Sequence, residues 1–107
     1  MRKEIITDRE DLLIWRLVLD PGETTSWHTD PCHRFSVVVR GERLTIEFRD
    51  GDEPVEVPVE PGLAGWDHPD PRVHRARNTG STVYEEVVTF FRSGLDDPQP
   101  VADEAPE

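Results

Sequence analysis

Clusters of Pro, Gly and Asp cut this chain into apolar segments of four to nine residues, and no stretch keeps a 3.6-residue apolar period over three helical turns. Segments this short, rich in Val, Ile, Leu, Thr and Phe, read as strands, so the chain is expected to be all-β. Strands are predicted at about 12–19, 33–40, 44–48, 54–59, 72–77 and 82–91, with short extra pairings near 4–6 and 25–28. The breaks carry the residues that turns require: Asp20-Pro21-Gly22, Asp30-Pro31, Arg40-Gly41, Asp50-Gly51-Asp52, Glu60-Pro61-Gly62, Pro69-Asp70-Pro71 and Asn78-Thr79-Gly80. Arg40-Gly41 followed by Leu44 reads as a hairpin. Leu44, Ile46 and Phe48 oppose Thr45, Glu47 and Arg49, and Val55, Val57 and Val59 oppose Glu56, Pro58 and Glu60. Each sheet should therefore have one buried and one wet face, and many short antiparallel strands build a small sandwich or barrel.

A chain of 107 residues has room for one modest core. Residues 1–92 are expected to form a single barrel domain. Residues 93–107, with five acids, three prolines and no Lys or Arg, are expected to form a disordered acidic tail. The formal charge of −11 repels phosphate backbones and anionic lipids, so nucleic acid and membranes are not expected as partners. No apolar run nears the ~20 residues that span a bilayer. The first residues turn acidic where a secretory signal would be apolar, and Cys32 is the single cysteine, so a cytoplasmic setting is expected. No glycine-rich phosphate cradle, serine nucleophile motif or paired-cysteine zinc motif is present.

Chemistry concentrates in two stretches. Pro21-Gly22 is followed after five residues by His28, then Thr29 and Asp30, after three more by Arg34, and after six more by Gly41. Downstream runs Pro69-Asp70-Pro71-Arg72-Val73-His74-Arg75-Ala76-Arg77-Asn78. The first spacing resembles the first cupin motif, in which a Gly precedes two His one residue apart, a Glu and a closing Gly. The second resembles the second cupin motif, which has Pro, Gly, His and Asn in order. The chain thus resembles a small single-domain cupin with an altered metal motif, and the resemblance implies a jelly-roll barrel, or double-stranded β-helix, with a pocket at one end. In that family the two His and the Glu of motif one and the His of motif two commonly hold one divalent metal. Here only His28 and His74 match; Asp30 stands at the second His and Arg34 at the Glu.

Two readings of the altered site remain. His28 and Asp30 lie two apart, so on an extended segment both face the same side, and His74 would arrive from another strand. Two imidazoles and a carboxylate suit Fe(II), and Zn(II) would also accept them; Ni(II) is a third candidate. Arg34 would then anchor a substrate carboxylate. In the other reading Arg34 pairs with Asp30 and replaces the ion, because a guanidinium so close repels a divalent cation.

His33 shares parity with Phe35, Val37 and Val39; if that face is core, its ring turns into the pocket as a possible ligand, and otherwise it serves at the surface. His68 either adapts the pocket or is a solvent-facing loop residue. Tyr84 and Glu86 are candidate acid–base groups on the last strand, whose inward parity is open. Arg75 and Arg77 should point away from the cavity toward surface acids. Asn78 should serve the turn before Gly80, and Trp15, Trp27 and Trp66 read as core or pocket wall.

The leading expectation is a small-molecule metabolic enzyme with its site inside the barrel, using one divalent ion on a small anionic or carboxylate metabolite. Oxygenase, lyase, isomerase and cyclase chemistries all fit. The alternatives are a metal-free acid–base isomerase or epimerase-like enzyme and a non-catalytic ligand-binding module. A homodimer is expected, because apolar runs such as Leu12 to Trp15 and Val87 to Phe91 exceed what one small core hides.

Overall fold

The computed structural model describes residues 1–92, so the expected tail at 93–107 lies outside the described residues. Nine strands run through them: β1 (Arg2–Asp8), β2 (Leu12–Leu19), β3 (His28–Asp30), β4 (His33–Arg40), β5 (Arg43–Phe48), β6 (Val55–Pro58), β7 (Ala64–Asp67), β8 (Asp70–Asn78) and β9 (Tyr84–Phe91). They form two antiparallel sheets, a five-stranded one ordered β1-β2-β9-β4-β7 and a four-stranded one ordered β3-β8-β5-β6. No helix among the described residues is long and apolar enough to cross a membrane.

The alternation of β2 places Leu13, Trp15, Leu17 and Leu19 inside, and register carries them against Phe90, Val88, Glu86 and Tyr84 of β9. This settles the parity of the last strand: Tyr84 and Glu86 face inward. From the other sheet Leu44, Ile46 and Phe48 of β5 and Ala76 of β8 face them across the cavity, as the alternation of β5 requires. Arg75 and Arg77 take the opposite face of β8 and share Glu47 of β5 at 2.7 and 3.1 Å.

The structure corrects the expected hairpin, adds a strand, and decides the face of β4, His33 and the tryptophans, which the sequence left open. Arg40-Gly41 is not a hairpin, because β4 pairs with β7 and β9 in one sheet and β5 with β6 and β8 in the other. Gly41 is the corner between sheets; its φ is +145°, and a Cβ there would lie 2.7 Å from Cδ1 of Tyr84. The segment Ala64–Asp67, with no alternation to betray it, pairs with β4 as the edge strand β7. The apolar set of β4 points outward: Phe35 and Val39 are exposed, while Arg34 and Val38 face in. His33 shares the outward parity, so it does not enter the pocket. It is covered on the outer face by Trp66, whose Nε1–H donates to His33 Nδ1 at 3.0 Å. Trp66 and Trp27 likewise do not line the cavity; Trp66 stacks on Phe91, and Trp27 packs under the Arg75 guanidinium at 4.2 Å.

Candidate functional site

Between the sheets lies a cavity of about 340 Å³, within the usual range for small-molecule sites. The four-stranded sheet supplies one wall. His28 on β3 is in register with His74 on β8, their ring centroids 4.6 Å apart, and Asp30 follows two residues later on the same face. Asp30 Oδ2 is 3.0 Å from His74 Nε2, and Asp30 Oδ1 is 3.6 Å from His28 Nε2.

Both imidazoles are fixed from behind. His28 Nδ1–H donates to the carbonyl of Ser26 and His74 Nδ1–H to that of Arg72, each at 2.8 Å. A carbonyl only accepts, so the Nδ1 proton is assigned and both Nε2 atoms are directed at Asp30. Backing of this kind orients metal-bound histidines. One ligand atom from each of the three residues lies within 4.8 Å of the others. Around an ion with bonds of about 2.1 Å, neighbouring ligands sit roughly 3.0 to 3.4 Å apart; the His74 contact to Oδ2 has this spacing, and the His28 contact, to the other oxygen, is slightly longer. The donor set therefore fits a divalent ion on chemistry and spacing.

Burial by itself would raise the Asp30 pKa; the His74 hydrogen bond and the charges of Arg34 and His28 outweigh it and hold the carboxylate below its ordinary value. The same hydrogen bond raises His74 against the opposing effect of burial.

Arg34 comes from β4, on the five-stranded sheet. Its Nε is 3.8 Å from Asp30 Oδ2, too long for a hydrogen bond, and its Nη2 reaches Asp67 Oδ2 at 3.3 Å. Asp30 and Arg34 therefore form an ion pair without a hydrogen bond between these atoms, and Asp30 is nearer to both His. The Arg34 Nε–H is buried without a hydrogen-bond partner among the described residues. Asp67 was invisible to sequence reasoning because β7 was, although its register opposite Arg34 places the pair.

Tyr84 donates its hydroxyl proton to Glu86 Oε1 in the cavity wall. Burial raises Glu86 above the ordinary carboxyl value, more than the Tyr84 hydrogen bond and the Arg34 charge lower it. Burial, then Glu86, raises Tyr84. His68 lines the cavity edge, with its ring 5.0 Å from that of His33, and neither joins the convergent set.

No family model and no curated protein sequence matches this chain. Solved structures do. A cupin domain from Bordetella pertussis Tohama I aligns with a TM-score of 0.75 at 20% identity, over 86% of this chain and 93% of its own. An RmlC-like cupin with a double-stranded β-helix fold from Methanocaldococcus jannaschii gives 0.66 at 20% identity, over 84% and 80%. This is the cupin fold. A conserved double-stranded β-helix protein from Klebsiella pneumoniae gives 0.65 at 16% identity, over 96% and 84%. At such identities the likeness is one of architecture. The cupin scaffold nevertheless puts His28, Asp30 and His74 on one cavity wall, which is where the two motifs are expected to meet.

Proposed function

We propose that this cupin is a metal-dependent small-molecule enzyme acting on a carboxylate or other small anionic metabolite inside the barrel. The observation that carries this reading is the convergence of His28 Nε2, Asp30 and His74 Nε2 on a cavity into which Arg34 also projects. Those three residues would hold Fe, Zn or Ni, which supplies Lewis acidity or, as iron, oxygen chemistry.

The remaining steps belong to the chain. Arg34 lines the cavity and is only partly compensated, by Asp67 at 3.3 Å and Asp30 at 3.8 Å, so its guanidinium orients a carboxylate beside the donor set. Burial raises the Glu86 pKa and so favours its protonated form; with Oε1 taken by the Tyr84 hydroxyl, a proton on Glu86 would sit on Oε2 and serve as a general acid for a ligand in the cavity. A metal-free acid–base enzyme is the second reading, supported by the 3.0 Å contact through which Asp30 orients His74. A cytoplasmic setting fits the single cysteine.

Elemental analysis of protein purified without a metal-affinity column tests the proposal. The expected result is one equivalent of a divalent metal, lost in both His28→Ala and His74→Ala. If no metal is taken up after addition of Fe(II), Ni(II) or Zn(II), the metal reading fails and the acid–base or binding-module reading replaces it.

A further inference from the structure

The inner face of the five-stranded sheet brings two cationic side chains to the cavity, at diagonally opposite corners. Arg34 lies in the cross-strand row Leu13, Phe90, Arg34, Asp67. Lys3, on the edge strand β1, lies in the row Lys3, Leu17, Glu86, Val38. Three strand spacings and four residues separate their backbones, roughly 20 Å along the curved sheet. Phe90, Trp15 and Leu17 lie between them, faced by Leu44 and Ile46 of the other sheet, so the middle of the cavity is mainly apolar, with the Glu86 carboxyl as its buried acid.

The two cations are unequally satisfied. Arg34 is met by Asp30 and Asp67. Lys3 makes no ion pair among the described residues; its Nζ stands over the ring of Trp15, 4.1 Å from the centroid. A lysine on the inward face of an edge strand also discourages edge-to-edge pairing, but that role does not require the ammonium to be held over a cavity-wall ring.

We infer that the pocket takes a two-headed ligand: an elongated organic acid with an apolar middle, one anionic group at Arg34 beside the His28–Asp30–His74 set and the second at Lys3. The inference rests on the proposed function of this pocket and adds the shape and charge of what it binds.

The test compares suberate, a dicarboxylate, with octanoate, a monocarboxylate of equal length, by calorimetry and tryptophan fluorescence on the full chain with zinc added. Zinc uptake is measured in the same samples. Wild-type protein should bind suberate at least about fivefold more tightly than octanoate, as one partly exposed ion pair implies. Lys3→Met should abolish that preference by weakening suberate binding at least about fivefold. Equal affinities in the wild type, or a preference that survives Lys3→Met, overturn the inference. So does failure of both acids to bind protein that has taken up zinc, a result that leaves the metal reading standing. A Lys3-dependent preference in protein that takes up no zinc supports the two-headed ligand and removes the metal instead.

Discussion

Asn78 joins the two sheets from the inside, and replacing it gives a quantitative test of how the barrel end is held. The residue is 1% exposed at the end of β8. Its Nδ2 donates to the carbonyls of Leu19 and Thr82, both at 2.9 Å, and its Oδ1 accepts from the Gly80 amide at 3.0 Å. Asn78→Ala removes all three. Net hydrogen-bond contributions of about 1 kcal/mol each give about 3 kcal/mol. Thr82 is exposed and its carbonyl regains water, whereas Leu19 is fully buried and its carbonyl does not, so the loss should reach roughly 3–4 kcal/mol. For a domain of this size that lowers the thermal midpoint by about 15–25 °C. Asn78→Asp should cost at least as much, because a carboxylate then faces the two carbonyls that Nδ2 served. Urea denaturation of the full chain at pH 7 reads the difference. A loss below about 1 kcal/mol at unchanged m-value would refute the reasoning, since the three bonds would then be replaceable by neighbours or solvent.

Two further outcomes follow from groups already described. Glu86 faces Tyr84, Arg34, Asp30 and Asp67, and burial raises its pKa; the folded state therefore binds its proton more tightly than the unfolded state. Stability should fall as pH climbs above about 4.5, the unfolded value, and Glu86→Gln should flatten that fall; identical pH slopes in urea melts of both proteins would contradict it. The outer face of the five-stranded sheet carries the rows Ile14, Thr89, Phe35, Trp66 and Arg16, Val87, Val37, Ala64, with Phe35 39% and Trp66 45% exposed. We propose that a second copy covers it: light scattering at micromolar concentration should give a dimer mass, and Phe35→Glu a monomer, whereas a monomeric wild type refutes the dimer.

Where the sequence could be read, period and punctuation agreed. Strands β2 and β4 begin and end where predicted, at Leu12–Leu19 and His33–Arg40, because their apolar runs are bounded by Asp, Pro and Gly. The direction of β4 was not legible. Its apolar residues Phe35, Val37 and Val39 suggest a core face, yet the inner side of this strand borders the end of the cavity that holds Asp30, Asp67 and the two His, and takes Arg34. Binary pattern therefore points the wrong way wherever the inside is a binding site and the outside an apolar sheet face. His33 followed that inverted parity. Strand β7, with Ala64 and Gly65 and every residue exposed, has no pattern of its own; pairing with β4 makes it a strand. The triad His28, Asp30 and His74 was legible because residues two apart on a strand share a face. The Tyr84–Glu86 pair needed the register of β9 before its side was known.

The proposed metal donors and the charged groups proposed to meet an organic ligand come from different sheets. His28, Asp30 and His74 belong to neighbouring strands of one sheet, whereas Arg34, Tyr84, Glu86, Trp15 and Lys3 belong to the other. Drift in the five-stranded sheet can therefore alter which molecule is accepted while the three donors keep their positions. For engineering, the same division makes Lys3, Trp15, Leu17 and Phe90 a library that can be randomised as a block, with the opposite wall left as a constant.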